Sequence, residues 1–475
     1  MTFHNPRQTS YDFSLSRRDF VSTALKTSLA VLPAAGWMAR TLPAAAQEPG
    51  ERPRQDESVK VVNPRNRVPL SFIIDDSCAL VNLAHFCIPQ FAEVFPDRYL
   101  QDWRSLPREI PDAFVRKFGE WCRDHGVKGK YSIVPYPALV GWVDREIPGW
   151  TRKELEESLK LIREFMQEDW DIHPEMVTHT WVINTKTGRP YPERTEDYME
   201  NWEWSVNKSA DELADYAAFA LKILKNAGLY CEGLTTPGGY GNRSREALSL
   251  STLQACRDVY RTEIPHYFRH LYTDDRSVAP RVENASGLDT DDPQCVVSII
   301  GCTGDWFGGW DGLTPGSVDR LITEDLQGGR LPEVIDRGEP AIWVCHWPGI
   351  YYNGDEIGFS IFKEAVKRVH ARNDNLMWMK LSEIARYWAA KELTAIRKEG
   401  DAYFLKAPFA APDYTVRISK VKRNSKPTLQ AGSTLHGFAE VDDPLKLMAG
   451  AFCHTKENTL LCFDLPKGSS RLSVG

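Results

Sequence analysis

The stretch Ser71-Phe72-Ile73-Ile74-Asp75-Asp76 decides how this chain is read. Phe72, Ile73 and Ile74 have the aromatic and β-branched character of a strand buried on both faces. Two carboxylates at the carboxyl end of such a strand cannot be left bare. Each needs a hydrogen-bond partner, a cation or a metal. In α/β barrels and open α/β sheets that end of the strands is where ligands and catalytic groups collect. One aspartate is placed to hold a metal and the other to accept a proton; the plainer alternative is a pair that caps the next turn.

Working outward, further strand patterns fall at 129–135, 175–182, 231–236, 295–301 and 341–346, with a weaker one at 261–268. Amphipathic helical patterns lie between them at 110–125, 151–167, 208–227, 244–259, 316–335 and 359–372, with a last helix at 380–396. This alternation predicts an α/β fold, a distorted (β/α) barrel of about seven strands over residues 69–396. Beyond it TVRISKV, LKLMAGAFC and TLLCFDL read as short strands without helices, so 397–475 is expected to be a small β-rich domain. The polar, Pro/Arg/Glu-rich residues 47–68 read as a linker.

The amino terminus reads as a targeting segment. Arg17-Arg18 precede Phe20, a mildly apolar stretch runs from Val21 to Ala39, and Ala44-Ala45-Ala46 offers a small-residue cleavage site. The order resembles a twin-arginine (Tat) signal over residues 1–46, implying the Tat translocon as a partner during export and a periplasmic or extracellular destination. Pro33, Gly36 and Arg40 interrupt the apolar run, which argues against a membrane span.

The 475 residues are 42% hydrophobic and 26% charged, an ordinary globular balance. The net charge of −7 and the lack of a basic stripe argue against nucleic acid as a partner. The 10 cysteines are scattered, and Cys295, Cys345 and Cys462 sit in apolar runs, so they read as small buried hydrophobes. With 15 Trp, 17 Tyr and 20 Phe, the chain has many flat rings of the kind that cover sugars, although most will be core.

His179 in EMVTHTWVIN and His346 in AIWVCH each fall at the carboxyl end of a strand pattern, the same rim as Asp75 and Asp76. Here the chain resembles the polysaccharide deacetylase (NodB-homology) family over about residues 69–395. FIIDDS is similar to that family's first motif, which implies Asp75 as catalytic base and Asp76 as metal ligand. His179-Thr180-Trp181 resembles the metal-binding second motif, and TTPGGYG the third, with Pro237 and Gly239 in place. Asp305-Trp306 resembles the fourth, whose Asp tunes the catalytic histidine, and His346 in VCHWPG the last, the general acid. The resemblance implies a divalent metal, zinc first, with cobalt, nickel or manganese as the other candidates. It also implies a carbohydrate substrate from which N- or O-acyl groups are removed, with Trp181, Tyr240, Trp306, Trp310 and Trp347 as a sugar platform.

Two departures stand out. The second motif's further His falls on Ile183, leaving Asn184 as the expected third ligand. His173 is a poor substitute, because six residues of strand span ~20 Å. The third motif's Arg, which pairs with the basic Asp, is replaced by Thr235, with Arg243 or Arg245 as substitutes. Rival readings are a non-catalytic glycan-binding barrel that has lost its metal, and a hydrolase or lyase using the same groups without one. His266 and His270 would make an i, i+4 zinc pair only on a helix, and no spacing supports Glu203 and Asp311 as glycosidase carboxylates.

Overall fold

A computed structural model describes residues 49–419 and 425–475, so the twin-arginine segment and its alanine cleavage site lie outside the described residues. The site is carried by nine strands. These are β1 (Val68–Asp75), β2 (Gly129–Ile133), β3 (Trp170–Pro174), β4 (Gly233–Thr235), β5 (His266–Leu271), β6 (Arg281–Ser286), β7 (Gln294–Gly301), β8 (Ala341–His346) and β9 (Leu376–Trp378). Around them pack helices α1 (Leu83–Val94), α2 (Asp112–Asp124), α3 (Arg152–Leu161), α4 (Ala210–Asn226), α5 (Arg245–Tyr260), α6 (Ile357–Arg372) and α7 (Leu381–Leu393).

The strands form two sheets rather than one continuously hydrogen-bonded barrel. In the first, β1 pairs parallel with β8, β2 and β9, and β2 pairs parallel with β3. In the second, β4, β5 and β7 are parallel and β6 runs antiparallel on β7. Single contacts link the two: an isolated bridge joins Glu175 to Thr235, and the Cys302 N–H donates to the Ile342 carbonyl at 2.7 Å. Both sheets face a common apolar core, to which Ile73, Ile342 and Val344 come from one and Phe268, Val297 and Ile299 from the other. Leu381, Ile384 and Trp388 of α7 pack into it as well.

The alternation of β1 explains why its run is apolar throughout. Phe72 belongs to the outer layer and stacks on Phe362 of α6 at 4.3 Å, while Ile73 belongs to the inner core. In β2 and β3 the inner positions are polar: Lys130 and Ser132 lie opposite Asp171 and His173 in register. The outward neighbours Tyr131, Trp170 and Ile172 join the helix layer. This part of the inner wall thus carries three ionisable groups, Lys130, Asp171 and His173.

Some elements differ from expectation. The strand expected at 175–182 lies at 170–174, because Pro174 cannot donate to a ladder and the chain turns away after it. The helix expected at 316–335 is split into Val318–Leu321 and Arg330–Asp336, with Gly329 at φ 95° opening the second piece. Helix α1 and strands β6 and β9 were not foreseen.

The carboxyl-terminal strands form two five-stranded sheets with a shared apolar core containing Tyr403, Leu405, Tyr414, Val416, Leu461 and Phe463. Part of the stretch read as a linker belongs here, since Val59–Val61 pairs antiparallel with Ala411–Ser419. Helix α7 serves both cores. Its Tyr387 hydroxyl donates to the Val62 carbonyl at 2.6 Å and accepts from the Thr415 N–H at 3.1 Å.

Candidate metal centre

The strand ends deliver ionisable groups to one rim. Asp75 is the last residue of β1 and stands in register with His346, the last residue of β8. Asp76 follows directly, at φ 59°. Glu175 follows β3, and His179 comes four residues later at φ 64°. Left-handed backbone at non-glycine residues is costly and is held only where the surroundings over-determine it.

Asp76, Glu175 and His179 offer ligand atoms that all lie within 4.8 Å of one another, and all three are buried. His179 Nε2 lies 2.7 Å from Asp76 Oδ1 and 3.5 Å from Glu175 Oε1. Asp76 Oδ1 is buried without a properly aligned hydrogen bond despite that short approach. The other oxygen of Glu175 accepts the Asp76 N–H at 2.8 Å. Burial opposes ionisation of Glu175, yet His179 and Lys130 outweigh it and hold the carboxyl down at about 2. Burial likewise opposes the His179 imidazolium, but Asp76 and Glu175 raise it well above its ordinary value. A proton is thus drawn onto His179 by the two carboxylates beside it. The donor set, two carboxylates and an imidazole, fits a divalent cation.

Asn184 does not supply the third ligand. It sits in a hairpin, where its Oδ1 accepts from the Lys186 N–H at 2.9 Å, and the third donor in the cluster is Glu175. The bend that brings His179 back to Asp76 is held by Glu200, a residue with no exposure. Its carboxylate accepts the N–H groups of Val177 at 3.2 Å, Thr178 at 3.0 Å and His179 at 2.6 Å, and the Tyr216 hydroxyl. Sequence reasoning missed Glu200, and no local pattern marks it.

Neither Arg243 nor Arg245 pairs with Asp75; Arg243 contacts Glu203 instead. The partner is Lys130 of β2, wholly buried, whose ammonium donates to Asp75 Oδ1, to the Ile74 carbonyl at 3.0 Å and to Ser132 Oγ at 2.7 Å. Burial pushes the Asp75 carboxyl up to about 6, against the pull of Lys130. Lys130 was detectable in the sequence: lysine is almost never buried inside a strand without a counter-charge.

His346 Nδ1 lies 3.0 Å from Asp305 Oδ1, and the two side chains are 29% and 28% exposed, so this pair sits at the mouth of the site. Burial disfavours the His346 imidazolium, but Asp305 and then Asp76 outweigh it and raise its value to about 10.

Most rings expected to form a platform are core. Trp181 is buried beside Phe91 and Val134, Trp347 packs on Phe114, Phe118 and Tyr131, and Tyr240 is buried against Trp204. Pro237 is buried, and the turn containing Gly239 packs on Asn201. Trp306 is half-buried under the Arg320 guanidinium, 4.5 Å from its ring. Of the expected rings Trp310 stands near His179, together with Phe91 and Trp202. Phe91 lies 6.5 Å from its imidazole and meets Trp202 at 5.0 Å and Trp310 at 6.0 Å.

The remaining candidates fall elsewhere. His266 and His270 lie on strand β5, not on a helix, and His266 meets His173 rather than His270. Asp311 accepts from Gln101 at 3.2 Å, and Glu203 is engaged with Arg243. All ten cysteines are free and buried.

No protein-family model matches the chain, and no curated protein matches it. Among solved structures it is similar to a protein assigned as a polysaccharide deacetylase from Mycobacterium smegmatis, at 14% identity and TM-score 0.39, over 74% of this chain and 99% of that one. It is also similar to the 4-alpha-glucanotransferase of Thermococcus litoralis, at 11% identity and TM-score 0.31, over 67% of this chain and 40% of that one. A third is the catalytic domain of the GH30 xylanase C of Talaromyces cellulolyticus, at 8% identity and TM-score 0.26, over 88% of this chain and 100% of that one.

Proposed function

We propose that this chain is an exported, metal-dependent hydrolase that removes acyl groups from a carbohydrate, with a site resembling that of the NodB-homology deacetylases. The observation that carries the reading is the meeting of Asp76, Glu175 and His179 beside two further pairs, Asp75–Lys130 and His346–Asp305, at one rim. Export rests on the twin-arginine pattern alone.

Asp76, Glu175 and His179 would hold the cation, zinc first among the candidates. When bound it supplies Lewis acidity, polarising the acyl carbonyl and lowering the pKa of the attacking water. Asp75, with its carboxyl near 6, takes the water's proton as the oxygen attacks the acyl carbon. Lys130 fixes that carboxylate and keeps it ionised. His346, held protonated by Asp305, donates to the leaving nitrogen or oxygen as its bond to the acyl carbon breaks. Trp202 and Trp310, partly exposed and backed by the buried Phe91, form the apolar wall on which a sugar ring rests.

The test is metal analysis of the purified chain together with acetate release from N- and O-acetylated oligosaccharides. Glu175→Ala and His179→Ala are expected to lose both metal and turnover. Asp75→Asn is expected to keep the metal while turnover falls by about 10²–10⁴-fold. Full turnover in all three variants would overturn the reading.

A further inference from the structure

We propose that Asp171, His173 and His266 form a second cation site, enclosed between the two parallel sheets, which takes a zinc-class divalent ion and clamps the sheets where their hydrogen-bond ladder is interrupted. These residues take no part in the chemistry above, and the inference does not depend on it.

The geometry is that of a ligand set. His173 Nε2 and His266 Nε2 face each other at 2.9 Å, and Asp171 Oδ2 lies 3.9 Å from His266 Nε2. The three ligand atoms lie within 4.8 Å of one another. Both histidines are 0% exposed and Asp171 is 7% exposed. Two imidazole nitrogens aimed at each other share at most one proton, whereas a cation between them accepts both lone pairs. Two imidazoles and a carboxylate are donors for zinc, cobalt or nickel rather than for calcium or magnesium.

The surroundings orient two of the three ligands, while His266 Nδ1 is buried without a hydrogen-bond partner. His173 turns its other nitrogen, Nδ1, to Thr235 Oγ1 at 3.3 Å. Asp171 is fixed by the Ser382 N–H at 2.6 Å and the Ser382 hydroxyl at 2.8 Å, both at the start of α7. Outer contacts of this kind set the ring and carboxylate orientation in metal sites. Gly233 leaves the space: a Cβ there would stand 2.8 Å from His173 Nε2 and 2.8 Å from His266 Cδ2.

The location supplies a purpose. His173 and Asp171 belong to β3 in the first sheet, and His266 opens β5 in the second. Between β3 and β4 only the isolated Glu175–Thr235 bridge joins the backbones. An ion shared by β3 and β5 spans that seam. Being enclosed, it would be taken up as the chain folds, so its binding contributes folding stability.

The experiment measures bound metal and thermal stability on the full chain grown with zinc and dialysed against EDTA. In an Asp76→Ala/His179→Ala chain, folded by circular dichroism, one EDTA-resistant zinc ion per chain is expected to remain. Adding His173→Asn and His266→Asn to that chain should remove the ion and lower Tm. Should this fourfold variant not fold, cobalt loading of the Asp76→Ala/His179→Ala chain decides, with the absorption of an imidazole-bound tetrahedral ion as the supporting result. A folded Asp76→Ala/His179→Ala chain that holds no zinc and gives no such cobalt spectrum would overturn the proposal, leaving the histidines as a hydrogen-bonded neutral pair. An ion that persists after both histidines are replaced would overturn it too.

Discussion

Replacing Lys130 by methionine tests how the proposed base is held. The substitution keeps the apolar stem but deletes all three ammonium contacts, to Asp75, the Ile74 carbonyl and Ser132, at a position with no exposure. Removing one partner of a buried ion pair leaves the other uncompensated and costs about 3–5 kcal/mol. At ~2.1 cal/mol/K per residue, the unit from Glu48 to Gly475 unfolds with an entropy of about 0.9 kcal/mol/K, so Tm falls by about 3–6 °C. The pH dependence gives a sharper check. Asp75 in the folded chain stands at about 6, above its unfolded value, so its contribution to stability is full at acid pH and is lost as pH rises through that value. Without Lys130 the folded value rises further, and the loss continues to higher pH. The gap between parent and variant should therefore widen above pH ~6 by up to about 1.4 kcal/mol per unit. Urea unfolding in EDTA at pH 5 and pH 8 measures it, and adding Asp75→Asn to the variant should recover most of the penalty. A gap equal at the two pH values, or no recovery in the double variant, would refute the reasoning.

Two further outcomes follow from the same geometry. Asp305→Asn removes the strongest influence raising His346, so the group falls from about 10 toward its ordinary value. The alkaline limb of kcat/KM should then move down by more than one pH unit, and an unmoved limb would show that His346 is not the acid. Glu200→Gln takes away the carboxylate that gathers the N–H groups of Val177, Thr178 and His179, so the His179 loop loosens. Metal affinity measured by chelator competition should fall about 10–100-fold, and an unchanged affinity would count against a role in positioning His179.

The strand-end logic was legible because it is local. FIIDD announces a buried strand that delivers carboxylates, and AIWVCH does the same for His346; both lie at the rim, with Asp75 and His346 in register. What stayed hidden depends on partners far apart in sequence. Glu200 matters because it meets three backbone N–H groups of another segment, and nothing in its own neighbourhood records that. Glu175 was closer to view. Reading Pro174 as the end of β3 turns Glu175 into a strand-end carboxylate and puts His179 on the returning loop, four residues away. Aromatic residues were the least informative. Whether Trp181 or Trp202 faces substrate depends on how loops pack, and a ring's chemistry is the same on either side of that boundary.

The two departures from the deacetylase motifs have one physical explanation. The resemblance implied an Arg to neutralise the basic Asp and a second His to complete the ligand set. Here both positions are apolar or neutral, Ile183 and Thr235, and the ionisable groups that stand nearby are Lys130 and Glu175. Lys130 reaches Asp75 from inside β2, and Glu175 joins Asp76 from the end of β3. The substitutions act together, because an imidazole replaced by a carboxylate adds negative charge to a buried cluster. Lys130 helps to hold Glu175 ionised as well as pairing with Asp75, so a single buried ammonium acts on both acids, with His179 as the second positive charge beside Glu175. A guanidinium placed out on the turn after β4, as Arg243 is, serves neither carboxylate, because its charge is spent on Glu203. The proposed cation at Asp76, Glu175 and His179 would take the place of the proton that these two carboxylates draw onto His179.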